Sequence, residues 1–246
     1  EFAMKDFDLN QETNPEIVIA ISGFSPVSSR GIHMLKLIIF DMDGLMFATE
    51  QVNYRAFTEI VKEEGYNPTF EQYIGFLGMN AKDIQKKYYV YYGEDVDAEG
   101  IYKKVGNRSK QIIREEGVPE KEGLRELLQV VREKGLQTAV ASGSDTDVIK
   151  EYLDRTGLNE YFDMVLSSKD VKRGKPFPDV FLEICKAFDV KPEETLVLED
   201  SANGVQAALA GNLPVINIPD LLPIPKEQQE KCVAVVENLK EVIPYI

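Results

Sequence analysis

The chain reads as an α/β protein with a mostly parallel sheet between helical layers and one all-helical insertion. Three observations predict this. Short, continuously apolar runs such as Leu37-Ile-Ile-Phe40 recur along the 246 residues, and unbroken runs of that length suit strands buried on both faces of a parallel sheet. From about residue 117 onward these runs alternate with amphipathic helical stretches, the order that right-handed β-α-β crossovers produce. Between Glu50 and about Glu116, by contrast, no buried strand run occurs and the pattern is helical. The expected architecture is therefore a three-layer, Rossmann-like core, residues 34–49 and 117–246, carrying a smaller helical domain at 50–116.

The elements follow in chain order. Residues 1–33 contain Ser22-Gly-Phe-Ser-Pro-Val-Ser-Ser-Arg-Gly, a turn-rich stretch. They lack the charged, then apolar, then small-residue order of a secretory signal. With Met34 as the natural start, they are expected to be a leader, tag or fusion segment, although Ile17-Val-Ile-Ala-Ile could pair as a strand. The first core strand is Leu37 to Phe40. In the insertion, Gln51 to Glu64 places Val52, Ala56, Phe57, Ile60 and Val61 on one helical face, and Gly65, Pro68, Gly78 and Gly93 separate the helical segments. Tyr88, Tyr89, Tyr91 and Tyr92 suit either an aromatic platform for a sugar or ordinary core, and core is the expectation. The alternation then runs through a helix at Gly123–Lys134, a strand at Gln137–Ala141, a helix at Asp145–Thr156 and a strand at Met164–Ser167. A lysine-containing loop leads to a helix from about Asp179, followed by a strand at Leu196–Leu198, a small-residue helix at Ala202–Ala210, and strands at Val215–Ile218 and near Val233–Val236.

Chemistry-bearing residues collect where these strands end. Asp41 and Asp43 directly follow the first strand, one residue apart, with Gly44 after them. Open α/β sheets bind ligands beyond the carboxyl ends of their strands. Two carboxylates so close repel unless a cation or a shared proton relieves them, and Mg2+, which favours a few oxygen ligands plus substrate phosphate, fits the need. The strand Thr138-Ala-Val-Ala-Ser-Gly-Ser ends in a hydroxyl at Ser142 and an unobstructed backbone at Gly143, both suited to a phosphate. Arg173-Gly-Lys-Pro-Phe-Pro-Asp sets Lys175 before two prolines that hold the loop's direction. Thr195-Leu-Val-Leu-Glu-Asp ends a buried strand in Glu199 and Asp200. For one metal to touch both acidic strand ends, those strands must be neighbours. Adjacent residues of a regular strand face opposite ways, so Asp200 is the expected direct ligand, with Glu199 direct or through water according to how sharply the chain turns.

The motifs D-x-D-G, strand-Ser, Lys-Pro-x-Pro-Asp and strand-Glu-Asp-Ser, in this order, resemble the haloacid dehalogenase superfamily, specifically its β-phosphoglucomutase-like phosphatases, over about residues 35–246. The resemblance implies that Asp41 is a nucleophile and Asp43 the general acid and base. It implies that Ser142 and Lys175 hold phosphate, and that Glu199 and Asp200 form the metal side together with Asp41 and the backbone carbonyl of Asp43. It also makes the helical insertion a cap that closes over the site and reads the leaving group. The chemistry suits these roles: phosphoryl transfer calls for in-line attack by an ionised carboxylate, a proton donor for the leaving alkoxide, and positive charge and N–H donors around the equatorial oxygens. The N–H groups of Met42 and Gly143 would join Ser142 and Lys175 as those donors.

Several positions depart from the family pattern: Leu45 stands where many members have Thr, and Ala48 where many have Asp. Asn53 and Ala81 stand where the mutases have His and Arg, which favours hydrolysis over mutase chemistry. The expected reaction is hydrolysis of a small phosphomonoester, a sugar phosphate or nucleotide-like monophosphate. A sugar-phosphate mutase and a non-catalytic binding protein on the same fold are the alternatives.

Composition narrows the partners. A formal charge of −14 opposes binding to nucleic acid or anionic membrane, and no apolar run approaches the ~20 residues of a membrane span. The only histidine, His33, lies outside every motif as a linker residue. Cys185 and Cys232 lack metal-binding or redox spacing, as expected for buried free thiols in a reducing compartment. A cytoplasmic monomer acting on a small phosphorylated metabolite is the expectation.

Overall fold

Six strands form one sheet in the order β3-β2-β1-β4-β5-β6: β1 (Leu37–Phe40), β2 (Gln137–Ser142), β3 (Met164–Ser167), β4 (Thr195–Glu199), β5 (Val215–Asn217) and β6 (Ala234–Val235). The computed structural model describes residues 35–246, so the expectations for residues 1–34, including the Ile17–Ile21 strand, lie outside the described residues. Every pairing in the sheet is parallel. The two central neighbours of β1 are β2 and β4, with Phe40 opposite Val140 on one side and Leu198 on the other. That register brings the carboxyl ends of three strands level.

Alternation along β1 builds the two outer layers. Ile38 and Phe40 face a cluster containing Leu127, Leu128 and Val131 of α5 (Leu124–Glu133) and Ile149 and Leu153 of α6 (Thr146–Thr156). Leu37 and Ile39 face the opposite way, onto Val180, Phe181 and Ile184 of α7 (Asp179–Ala187) and Val205 and Ala208 of α8 (Ala202–Ala210). All four strand residues have no exposed surface, and each such side chain contributes about 1.5–3 kcal/mol of transfer free energy. The strands run further than the apolar runs. Ser142 pairs with Ser167, and Glu199 with Asn217, because a backbone ladder continues past the last apolar side chain when the neighbouring strand is there to meet it.

The insertion holds α1 (Thr49–Glu63), α2 (Phe70–Ile74), α3 (Ala81–Tyr92) and α4 (Ala98–Glu116). The starts of the last three are capped by side chains: Thr69 forms a capping box with Gln72, Asn80 accepts from the N–H groups of Lys82 and Asp83, and Asp97 accepts from Gly100. The helices share their own cluster of Phe57, Ile60, Val61, Tyr73, Phe76, Tyr88, Val96 and Ile101. Tyr88 is buried within it and Tyr91 and Tyr92 pack against it, while Tyr89 faces solvent. Three of the four tyrosines thus serve as cap core rather than as an open aromatic platform.

The two linkers to the cap run side by side. Ala48 N–H donates to Pro119 O at 2.8 Å and Lys121 N–H to Met46 O at 2.9 Å, around an antiparallel bridge between Phe47 and Glu120. Ala48 therefore ties down its loop through its backbone, with no need of a side-chain carboxylate. From the core, Arg155 reaches the carbonyls of Ile113 and Arg114 at the end of α4, each at 3.0 Å.

Candidate active site

Where β1 ends, the chain keeps one more ladder bond, Asp41 N–H to Leu198 O at 3.0 Å, and then turns as Met46 and Phe47 donate to Met42 O. Gly44 sits in that turn at φ 86°, and a Cβ there would lie 2.3 Å from Oδ2 of Asp200. Both the left-handed backbone and the approach of Asp200 require glycine. The D-x-D-G motif thus records contact with a strand that comes much later in the sequence.

Lys175 occupies the centre. Its Nζ donates to Asp41 Oδ1 at 2.5 Å, Glu199 Oε1 at 2.6 Å and Ala141 O at 2.9 Å, so all three ammonium hydrogens have acceptors. Burial opposes its charge, but Asp41 and Glu199 outweigh burial and raise its pKa, keeping it protonated. Glu199 is fully buried, and its Oε2 accepts from the N–H and hydroxyl of Ser201 at 3.0 and 2.9 Å. A Cβ on Gly204 would fall 1.7 Å from Glu199 Oε1, so the first turn of α8 needs glycine there.

Asp200 follows β4 where the chain leaves the strand, and Asn217 Nδ2 donates to the backbone carbonyls of Glu199 and Asp200 at 2.9 and 3.2 Å. One carboxylate oxygen from each of Asp41, Glu199 and Asp200 lies within 4.8 Å of the others. Burial raises the carboxyls of Asp41 and Asp200 well above the usual range; Lys175 pulls Asp41 back, while Glu199 pushes both up. Two buried carboxylates and the half-buried Asp200 face one ammonium, and the donors are all hard oxygens. That combination fits Mg2+.

Asp43 points to the other side. Its Oδ1 accepts from Thr49 Oγ1 at 3.0 Å, and its Oδ2 accepts from Ser142 Oγ at 3.1 Å and Ser144 Oγ at 2.7 Å. Ser142 Oγ also accepts from Ser144 N–H at 2.9 Å. The hydroxyl expected to face phosphate is therefore oriented here by Asp43 and Ser144. No backbone carbonyl accepts the N–H of Met42 or Gly143 among the described residues. All eight residues singled out from sequence thus gather at the ends of β1, β2 and β4 and in the loop before α7.

A haloacid dehalogenase-like hydrolase family profile matches residues 38–218. The chain belongs to the haloacid dehalogenase-like hydrolases. A phosphorylated carbohydrates phosphatase of Thermotoga maritima is 29% identical over 179 residues, 73% of this chain and 82% of that protein. Fructose-1-phosphate phosphatase YqaB of Escherichia coli is 27% identical over 183 residues, 74% of this chain and 95% of its own. Among solved structures, CbbY of Rhodobacter sphaeroides in complex with phosphate superposes with a TM-score of 0.70 over 85% of this chain and 96% of its own, at 24% identity, a likeness of fold.

Around this haloacid dehalogenase-like centre lie residues that sequence reasoning missed. Thr49 and Ser144 hold Asp43, Ser201 and Gly204 frame Glu199, and Asn217 ties the bend at Asp200. A further layer of charge adjoins them: Lys121 Nζ donates to Asp220 Oδ1 at 2.6 Å, and Tyr73 donates its hydroxyl to Glu50 Oε2. Burial raises the Glu50 carboxyl, against the opposing hydrogen bond from Tyr73, and the negative charge of Asp43 and Asp220 adds to the rise. Only the S-G-S spacing around Ser142 hinted at one of these, Ser144.

Proposed function

We propose that this hydrolase is a Mg2+-dependent phosphoric monoester hydrolase that cleaves a small sugar phosphate or nucleotide-like monophosphate through an aspartyl-phosphate on Asp41. The observation that carries the reading is the convergence of Asp41, Lys175, Glu199 and Asp200 at the ends of adjacent strands, with Asp43 held by hydroxyls one step away. The names of the relatives, a carbohydrate phosphatase and a fructose-1-phosphate phosphatase, support the same class. Asn53 and Ala81, in place of the mutases' His and Arg, favour water over a second sugar as acceptor.

In the proposed cycle a carboxylate oxygen of Asp41 attacks phosphorus, and the ester oxygen leaves as its bond to phosphorus breaks. Asp43, protonated at that moment, gives its proton to the leaving oxygen. Thr49, Ser142 and Ser144 set the direction of that carboxyl. Asp43, now ionised, next takes a proton from water as the water oxygen attacks the phosphorus of the aspartyl-phosphate, which releases inorganic phosphate and restores Asp41. Lys175 screens the charge of Asp41 and of the phosphate and is itself fixed by Glu199 and Ala141. The N–H groups of Met42 and Gly143 donate to the phosphate oxygens, and the single hydroxyl hydrogen of Ser142 joins them by turning from Asp43, which Ser144 and Thr49 still hold. Asp41, Asp200 and the carbonyl of Asp43 would hold Mg2+, with Glu199 behind them, and the bound ion would supply positive charge to the phosphate oxygens.

The proposed working unit is one chain with the division given above, a core of 34–49 and 117–246 and a closing cap of 50–116. Every site residue comes from that single chain. Cytoplasmic residence is proposed from the two free, buried thiols and the acidic charge; no described helix is long and apolar enough to cross a membrane.

The test is release of inorganic phosphate from an aryl phosphate with Mg2+, followed by a panel of phosphorylated metabolites. Phosphatase turnover supports the reading. Turnover that appears only with an added sugar bisphosphate would assign a mutase, and none under any condition would assign a binding protein. Asp200→Ala should raise the Mg2+ requirement strongly or abolish turnover, and wild-type turnover that survives chelation would remove the metal from the reading.

A further inference from the structure

Asp220, on the loop after β5, is not needed for the reaction as described, yet its side chain is 5% exposed and only one of its oxygens has a partner. Oδ1 is held by Lys121 at 2.6 Å. Oδ2 is buried and has no hydrogen-bond partner among the described residues. A buried carboxylate oxygen left without a donor is costly, and a group placed so is normally satisfied by water or by an ion's hydration shell. The direction of Oδ2 points to the second of these. It lies 3.4 Å from the place a Cβ on Gly44 would occupy, and Asp200 Oδ2 lies 2.3 Å from the same place. The two oxygens are therefore no further apart than roughly two hydrogen-bond lengths, a gap that one water bridges. Asp220 is also close enough for its charge to act on Asp200.

We propose that Asp220 is an outer-shell residue of the metal site: its Oδ2 accepts a hydrogen bond from a water on the ion that Asp200 holds, while Lys121 keeps the carboxylate aimed. The inference rests on the Mg2+ reading above. Mg2+ gives up its waters reluctantly and retains several when bound by carboxylates, so a fixed acceptor beside Asp200 orients the hydrated ion. Lys121 stands on the return linker from the cap, paired with Met46 of the outgoing linker. The hydration shell of the ion is thereby tied to the hinge as well as to the core. Lys121 and Asp220 are positioning residues, since neither touches the reacting atoms in this scheme.

Mg2+ binding to the full-length chain, measured by calorimetric titration without substrate, tests the proposal. Asp220→Asn keeps the shape and weakens the acceptor, and the expected result is a Kd for Mg2+ raised roughly tenfold to a hundredfold, as for other outer-shell partners. Because this single change leaves the half-buried Lys121 without its partner, the double variant Lys121→Met with Asp220→Asn removes both charges together, a change that such pairs tolerate better. The same loss of affinity is expected of it, and it decides the matter if the single variant does not fold. A folded variant that binds Mg2+ within about twofold of wild type, where an outer-shell ligand would cost tenfold or more, overturns the proposal and leaves Asp220 as a structural brace of the hinge. A wild-type chain that binds no Mg2+ overturns the metal reading itself, a failure distinct from the first because it shows in the unmutated protein.

Discussion

In the α/β core, the candidate site's acidic side chains stand just beyond strands whose register fixes them: Asp41 continues the ladder from β1, and Asp200 leaves β4 one strand away. In the helical cap, order comes from rings packed against rings, such as Phe57 against Phe76 at 5.5 Å and 77° and Phe76 against Tyr88 at 5.1 Å. The core holds buried carboxylates and an ammonium in fixed opposition, while the cap, apart from Glu50 beside the hinge, places its charges on the outside, where pairs such as Lys86–Asp83 and Lys103–Glu99 are exposed and worth little. The contrast teaches that the charged cluster and the aromatic packing belong to separate parts of this chain. If the proposed reaction holds, a change in the core should remove turnover and leave the fold, and a change in the cap should weaken the fold and leave the reacting atoms in place.

Asp41→Asn should show this contrast most strongly. The amide is a poor nucleophile, so phosphate release should vanish while the thermal unfolding curve still shows a folded chain. Activity within about tenfold of wild type would contradict covalent catalysis. Fluoroberyllate should bind wild type with its beryllium against the Asp41 carboxylate.

Next in size is Asp43→Asn, which removes a proton donor and should cost about 10²–10⁴ in turnover of an alkyl phosphate. An aryl phosphate, whose leaving group needs no proton, should suffer far less. Equal losses on both substrates, measured side by side, would take the acid-base role from Asp43.

A cap substitution should behave in the opposite manner. Phe57 is 1% exposed at the middle of the aromatic cluster, so Phe57→Ala should lower stability by about 3–5 kcal/mol in denaturant titration. Below its unfolding transition the variant should retain most of its aryl-phosphate turnover. A drop in aryl-phosphate turnover as deep as that of Asp41→Asn would break the division between the two regions.

A slighter change is expected at their border. Burial raises the Glu50 carboxyl, so the folded chain holds that proton after the unfolded chain has released it. The wild type should therefore lose stability, relative to Glu50→Gln, as pH climbs from the ordinary glutamate range through the raised value, and the two should match below that window. Melting temperatures of both proteins across acid to neutral pH measure this, and parallel curves would show that folding does not raise the Glu50 carboxyl.

Much of the core was legible in the residues because its signals are local. An apolar run such as Leu37–Phe40 marks a buried strand by itself, and a carboxylate or hydroxyl directly after it lies at a strand end whatever surrounds it. Asp41, Asp43, Ser142, Glu199 and Asp200 are visible for that reason, and Lys175 through the two prolines that follow it. The first helix of the insertion was visible through its period and the tyrosines' core role through their clustering, whereas the outward turn of Tyr89 was not, because all four rings suit a core equally. One strand end also shifted: β2 runs to Ser142 because Ser167 of β3 pairs with it, one residue past the last apolar side chain.

Which distant residues meet is a matter of the folded chain alone. Ser144 holds Asp43 across 101 residues of chain, Gly44 is required by the carboxylate of Asp200, Gly204 by that of Glu199, and Lys121 finds Asp220 across 99 residues of chain. Parallel strands are joined by crossovers, so neighbours in the sheet are remote in sequence. The period of a strand tells which way a side chain faces, but not what it faces. The residues in their order set the chemistry available at each strand end. The arrangement β3-β2-β1-β4-β5-β6 made those ends share one site, because a parallel sheet places side by side what its sequence keeps apart.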